Sequence, residues 1–287
     1  MLAVVTCFFN FGNFKRPQAN LHRFLRQMER DGVKVFGVEA HLKGAIPVTK
    51  YCAGWTQVPI ESHNQMLWQK EAAINLAAKT ISLTFTNLAW IDSDVWFDNP
   101  NWVQDTESAL EQYEVVQMFN YAVWTSPEGK LSLRKPSVVI EDLNAQWKSH
   151  PGFAWAMRRS LWEKAGGLFP HAVSGAGDTV MSLAFLGKAI PFGFNQNLGA
   201  NHTLFEKWRT AFAGVSTGAV KGTCYHEWHG TTEDRDYVGR RERVAKIDSE
   251  KDLQIASNGL LAWTSSADPK IVGAVRQYFT SKNDDKF

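Results

Sequence analysis

The first forty residues constrain the fold most. LAVVTCFF (2–9) is a continuous apolar run rich in β-formers, the pattern of a strand buried on both faces. Pro17 opens a segment with Leu21, Phe24, Leu25 and Met28 at helical spacing, Asp31-Gly32 stops it, and VKVFGVEA (33–40) reads as a second strand. Strand, helix, strand is a crossover unit, so a parallel sheet covered by helices is expected. The alternation continues with a helical pattern over 63–79, a strand NLAWID (87–92) that gives out at Asp92, a helix at about 101–113 and a strand EVVQMFN (114–120). Pro127, Gly129 and Pro136 mark an excursion from this pattern. GFAWAMRR (152–159) and a helix from Asp178 resume it, and the tail carries a helix near 269–281.

Composition narrows the class. A length of 287 residues allows one large or two ordinary domains, and 44% hydrophobic residues with 21% charged exclude disorder. A net charge of +2 excludes a dedicated nucleic-acid coat. Twelve tryptophans, far more than usual, supply flat surfaces for core, carbohydrate or nucleobase. Cys7, Cys52 and Cys224 are too few and scattered for a disulfide framework, which fits a reducing compartment. The chain shows neither a basic leader nor an apolar run near membrane-span length, so the expectation is a cytoplasmic protein with no membrane span.

Three motifs hold the chemistry. Asp92-Ser93-Asp94 follows a buried strand, the place where ligands bind in open α/β sheets, and its two carboxylates suit a hard divalent cation; turn chemistry is the alternative. A second Asp-x-Asp, Asp234-Arg235-Asp236, sits in a charged stretch. His226-Glu227-Trp228-His229 spaces two imidazoles so that both can meet one cation, but it is not the His-Glu-x-x-His of metalloproteases. Gly175-Ala176-Gly177-Asp178 places a carboxylate at a helix start, as N-cap, as general base or as both. Arg235, Tyr237, Arg240, Arg241 and Arg243 offer guanidinium groups to a diphosphate or to solvent. Gly214-Val215-Ser216-Thr217-Gly218 matches a nucleophile elbow but fails on order, because no histidine follows Asp234.

Taken in order, Thr6-Cys7-Phe8-Phe9-Asn10, Gln69-Lys70-Glu71 with Asn75, Trp90-Ile91-Asp92-Ser93-Asp94, Gly152-Phe153-Ala154-Trp155-Ala156, Gly175-Ala176-Gly177-Asp178 and His226-Glu227-Trp228-His229-Gly230 resemble the GT-A glycosyltransferases. The match looks most like bacterial and bacteriophage members with a His-x-Trp-His-Gly segment followed by Arg and Tyr. The resemblance implies a GT-A (Rossmann-like) mixed, mostly parallel sheet flanked by helices. It implies a catalytic domain over 1–240, with a nucleotide-sugar half at 1–98 and an acceptor and metal half at 99–240, and a helical extension at 241–287. Nucleotide-sugar binding would fall to Asn10, Lys70, Asp92, Asp94, Arg235 and Arg240, and metal binding to Asp92, Asp94, His226 and His229. Asp178 would be the base of an inverting member, although the doubled acid of many relatives is missing. Trp155 and Trp162 would face either the acceptor or the core.

The implied activity is a metal-dependent transferase, using Mn2+ or Mg2+, that moves a sugar from a nucleoside-diphosphate sugar, a UDP-sugar first among them, to a hydroxyl of a glycan, a protein or a hydroxymethylated base of phage DNA. The alternatives are a nucleotidyltransferase or sugar-nucleotide hydrolase on a related sheet, and a non-catalytic carbohydrate-binding domain.

Overall fold

The computed structural model describes every residue except 62, 142–147, 174, 191–197, 231–238, 240, 241, 244, 283, 286 and 287. Its centre is a seven-stranded sheet. In chain order the strands are β1 (Leu2–Phe9), β2 (Val35–Leu42), β3 (Trp55–Ile60), β4 (Asn87–Ile91), β6 (Val115–Gln117), β9 (Ala154–Arg158) and β10 (Thr217–Ala219). They lie side by side as β10-β6-β9-β4-β1-β2-β3, and only β9 runs against the rest. This is the mixed, mostly parallel, helix-flanked sheet expected from the sequence.

β1 shows why the apolar run had to be central. Ala3, Val5 and Cys7 enter one core and Leu2, Val4 and Phe8 the other, so successive side chains bury both faces. Helix α1 (Lys15–Arg30) covers the second face with Leu21, Phe24 and Met28, and ends where Gly32 turns into the left-handed region at φ 69°. Helix α2 (Lys70–Ala78) covers the first face with Ala73, Ile74 and Ala77.

The described helix α2 is shorter than the expected 63–79. Trp263 N–H bonds to the Asn64 carbonyl and Leu261 N–H to the Gln69 side chain, so 64–69 is held in tertiary contacts instead of helix. Met66 and Leu67 pack there with the C-terminal helix Pro269–Ser281 and the ribbon of β12 (Leu253–Ile255) and β13 (Leu261–Trp263). Strand β3 escaped the sequence reading because Pro59 removes a ladder donor; that is tolerable here because β3 is the sheet's edge. The expected excursion is partly a hairpin, β7 (Tyr121–Thr125) with β8 (Leu131–Pro136). With β5 (Val95–Phe97) and β11 (Thr223–His226) it forms a second sheet in the order β5-β11-β7-β8. Trp155 and Trp162 are core residues, 2% and 7% exposed, packed in the cluster that holds Trp90 and Phe185. Among the described residues no helix is long and apolar enough to cross a membrane.

Candidate active site

Sheet topology brings the singled-out residues together. β1 and β4 are parallel neighbours, so their carboxyl ends open on the same side. The antiparallel pairing of β5 with β11 sets His226 opposite Val95, and Glu227 N–H extends the ladder to the Asp94 carbonyl. Asp94 and the histidine segment, 132 positions apart in the sequence, are thereby forced into contact.

The Asp94 carboxylate lies with Oδ2 at 2.9 Å from His229 Nε2 and 3.5 Å from His226 Nε2. One ligand atom from each of the three residues lies within 4.8 Å of the others. Burial opposes ionisation of Asp94, but the imidazoles of His226 and His229 hold its carboxyl well below the usual range. Its second oxygen, Oδ1, is buried with no hydrogen-bond partner among the described residues. A desolvated carboxylate oxygen left this way is costly unless an ion or donor meets it. Asp92, expected as a fellow ligand, stands outside the triad: it accepts from Lys70 Nζ at 3.1 Å.

Lys70 opens α2 and bridges two carboxylates, Asp92 and, at 2.7 Å, Asp178 Oδ1. Burial opposes the charge of its ammonium, but Asp178 and Asp92 hold it well above the usual lysine range. Burial pushes the Asp92 and Glu71 carboxyls up despite the neighbouring lysine. Asp178 is not the helix cap: α3 (Gly177–Phe185) is preceded by Ala176 in the left-handed region at φ 70°, and Asp178 sits inside the first turn, turned to Lys70. A side-chain carbon at Gly177 would collide with Glu71 Oε1, so the buried Glu71 carboxylate would have to shift. Gly177→Ala should therefore cost about 1–3 kcal/mol, read from urea denaturation; a midpoint equal to wild type would contradict this contact.

These groups line one cavity of about 710 Å³, within the usual range for ligand pockets of about 300–1,000 Å³. Its far wall contains His150, which no sequence pattern singled out. The imidazole packs against Trp124 and Phe153, with ring centroids at 4.6 and 4.1 Å, and its Nε2 is buried without a partner among the described residues. Burial, with His226, Lys135 and Lys70 nearby, holds it well below the usual histidine range, so the ring is neutral at pH 7. A side-chain carbon at Gly152 would stand 3.1 Å from both His150 Nε2 and Asp178 Oδ2, so these atoms face the same small space. Phe153 holds φ at 72°; its carbonyl accepts from Asp92 N–H and its ring stacks on His226 at 5.1 Å.

The C-terminal segment reaches the same cavity. Asp284 Oδ1 lies 3.6 Å from His229 Nδ1 and its Oδ2 accepts from Lys282 Nζ at 2.6 Å. Burial raises the Asp284 carboxyl, but His229 and Lys282 outweigh it and hold the group below the usual range. Asn10 lies at the β1 end yet uses its side chain locally, donating to the Phe14 carbonyl and accepting from Phe14 N–H. Arg235, Arg240 and the second Asp-x-Asp lie outside the described residues.

No family model matches the chain, and no curated protein matches it. Solved structures that align with it include a variant of Drosophila β1,4-galactosyltransferase 7 in complex with manganese, UDP-Gal and xylobiose (11% identity, 76% of this chain and 64% of that one, TM-score 0.39). Others are mannosyl-3-phosphoglycerate synthase from Rubrobacter xylanophilus (12%, 90% and 77%, TM-score 0.43) and 4-diphosphocytidyl-2C-methyl-D-erythritol synthase from Anaerococcus prevotii (9%, 77% and 89%, TM-score 0.38). The chain spans less than two thirds of the Drosophila domain.

Proposed function

We propose that this chain is a metal-dependent glycosyltransferase that moves a sugar from a nucleoside-diphosphate sugar, a UDP-sugar first among them, to a hydroxyl acceptor. The observation behind this reading is the triad of Asp94, His226 and His229, whose buried Asp94 Oδ1 lacks a partner among the described residues, at the floor of a ligand-sized cavity. One carboxylate and two imidazoles suit Mn2+ better than Mg2+, which prefers oxygen ligands. When bound, such a cation compensates the negative charge that develops on a departing diphosphate.

The remaining work falls to the protein. Asp178 keeps Oδ1 on Lys70, which leaves Oδ2 facing the space beside Gly152 to accept the proton of an acceptor hydroxyl. The neutral His150 offers Nε2 to the same hydroxyl-bearing group and orients it. Lys70 holds Asp92 and Asp178 in place and adds positive charge to the donor side. Arg235 and Arg240 are the proposed diphosphate contacts, and the acceptor is a glycan, a protein or a hydroxymethylated DNA base.

The test is incubation with a panel of nucleotide sugars and Mn2+, analysing the nucleotide product. Nucleoside diphosphate released in proportion to added acceptor is the expected result. Release of pyrophosphate would identify a nucleotidyltransferase instead, and sugar retention without turnover a binding module.

A further inference from the structure

We infer that Asp284 is a positioning residue of the metal site, one that orients His229 from the side of the ring facing away from Asp94; the inference rests on the metal-site reading above. The two ring nitrogens of His229 face two carboxylates: Nε2 meets Asp94 Oδ2 at 2.9 Å, and Nδ1 meets Asp284 Oδ1 at 3.6 Å. Asp284 is on the wrong side of the ring to share an ion with Asp94 and Nε2, so it is not a further ligand. Its place is that of the carboxylate behind a metal-binding imidazole.

The proton count gives the reason. His229 Nε2 lies 2.9 Å from Asp94 Oδ2, on the side of the ring where the triad converges. To act as a ligand, Nε2 must present its lone pair, and the neutral ring then keeps its one proton on Nδ1. That proton points toward Asp284, a buried carboxylate that Lys282 keeps in place at 2.6 Å. The 3.6 Å separation is an electrostatic contact rather than a hydrogen bond.

Asp284 is also held from both sides along the chain. Upstream, Phe279 packs on Phe11, with centroids 5.1 Å apart, and on Trp68 at 6.3 Å. Downstream, the Asp285 carboxylate accepts from the backbone N–H groups of Lys15 and Arg16 in the first turn of α1, at 3.0 and 2.7 Å. A residue fixed between two anchors presents its carboxylate with little conformational freedom to lose.

The experiment is calorimetric titration of the full-length chain with Mn2+ alone, for wild type, Asp284→Asn, Asp284→Glu, His229→Ala and the His229→Ala/Asp284→Asn double variant, each checked for folding by circular dichroism. Asp284→Asn should weaken Mn2+ binding by roughly 10- to 100-fold, and Asp284→Glu should recover much of the loss. The double variant should bind no more weakly than His229→Ala, because a group acting through His229 has nothing left to act on. Wild-type affinity in Asp284→Asn alongside loss in His229→Ala would overturn the inference and leave the metal site standing. So would a double variant that loses the product of both single effects, since Asp284 would then act through the fold. Absence of Mn2+ binding in wild type would overturn the metal-site reading itself.

Discussion

Asp94→Asn should yield a folded protein that turns over nucleotide sugar about a thousandfold more slowly. Charge compensation by a bound cation is worth several kcal/mol at a departing phosphate, and each 1.36 kcal/mol is a factor of ten in rate. Asn keeps the shape of Asp94 and can still accept from His226 or His229, so the packing around it survives. What it lacks is the negative charge that now sits buried beside two imidazoles. Melting curves supply a readout that needs no substrate. Mn2+ at a hundred times its Kd should stabilise wild type by about 2.7 kcal/mol, roughly 5 °C or more in Tm for a domain of this size. The variant should show no such rise. An undiminished rise would remove Asp94 from the site.

Asp178→Asn should cut turnover by roughly a hundredfold or more while leaving Mn2+ binding near wild type, because an amide cannot take the acceptor's proton. Some stability should also be lost. Lys70 is buried and paired with both Asp178 and Asp92, and after the exchange one full negative partner remains. Removing both partners of such a lysine would cost several kcal/mol, and replacing one by a hydrogen-bonding amide costs less. The decisive comparison is kcat at saturating donor, normalised to the folded fraction. Near-normal kcat would exclude Asp178 as the base and leave a retaining mechanism, or a different carboxylate.

The legibility of this protein in its sequence follows the range of the interactions involved. β1, α1 and the C-terminal helix are legible because their signals are local: an apolar run, an apolar stripe with a stop at Gly32, and a helix start at Asp268-Pro269. Helix α2 begins later than its apolar spacing suggests because Asn64 and Gln69 are tied to a ribbon some two hundred residues away. Asp94, His226 and His229 were visible as motifs, and the β5–β11 pairing is what joins them. Within Asp-Ser-Asp nothing in the sequence marks which carboxylate turns to the histidines and which to Lys70. His150 and Asp284 left no pattern at all. One is a lone histidine before Pro151, and the other belongs to a charged tail that reads as solvated surface.

Lys70 and its carboxylate neighbours also set the potential that an incoming anion meets. Among the described residues the cavity is lined by five carboxylates and three lysines, and burial raises two of those carboxyls, Glu71 and Asp92, to about 7, so the cavity grows more negative as pH rises through neutrality. A free nucleotide, itself a polyanion, would approach against that potential, and screening by added salt would work in its favour. A divalent cation held by Asp94, His226 and His229 would offset that negative charge. With such a cation bound, nucleotide affinity would depend less on ionic strength than in its absence.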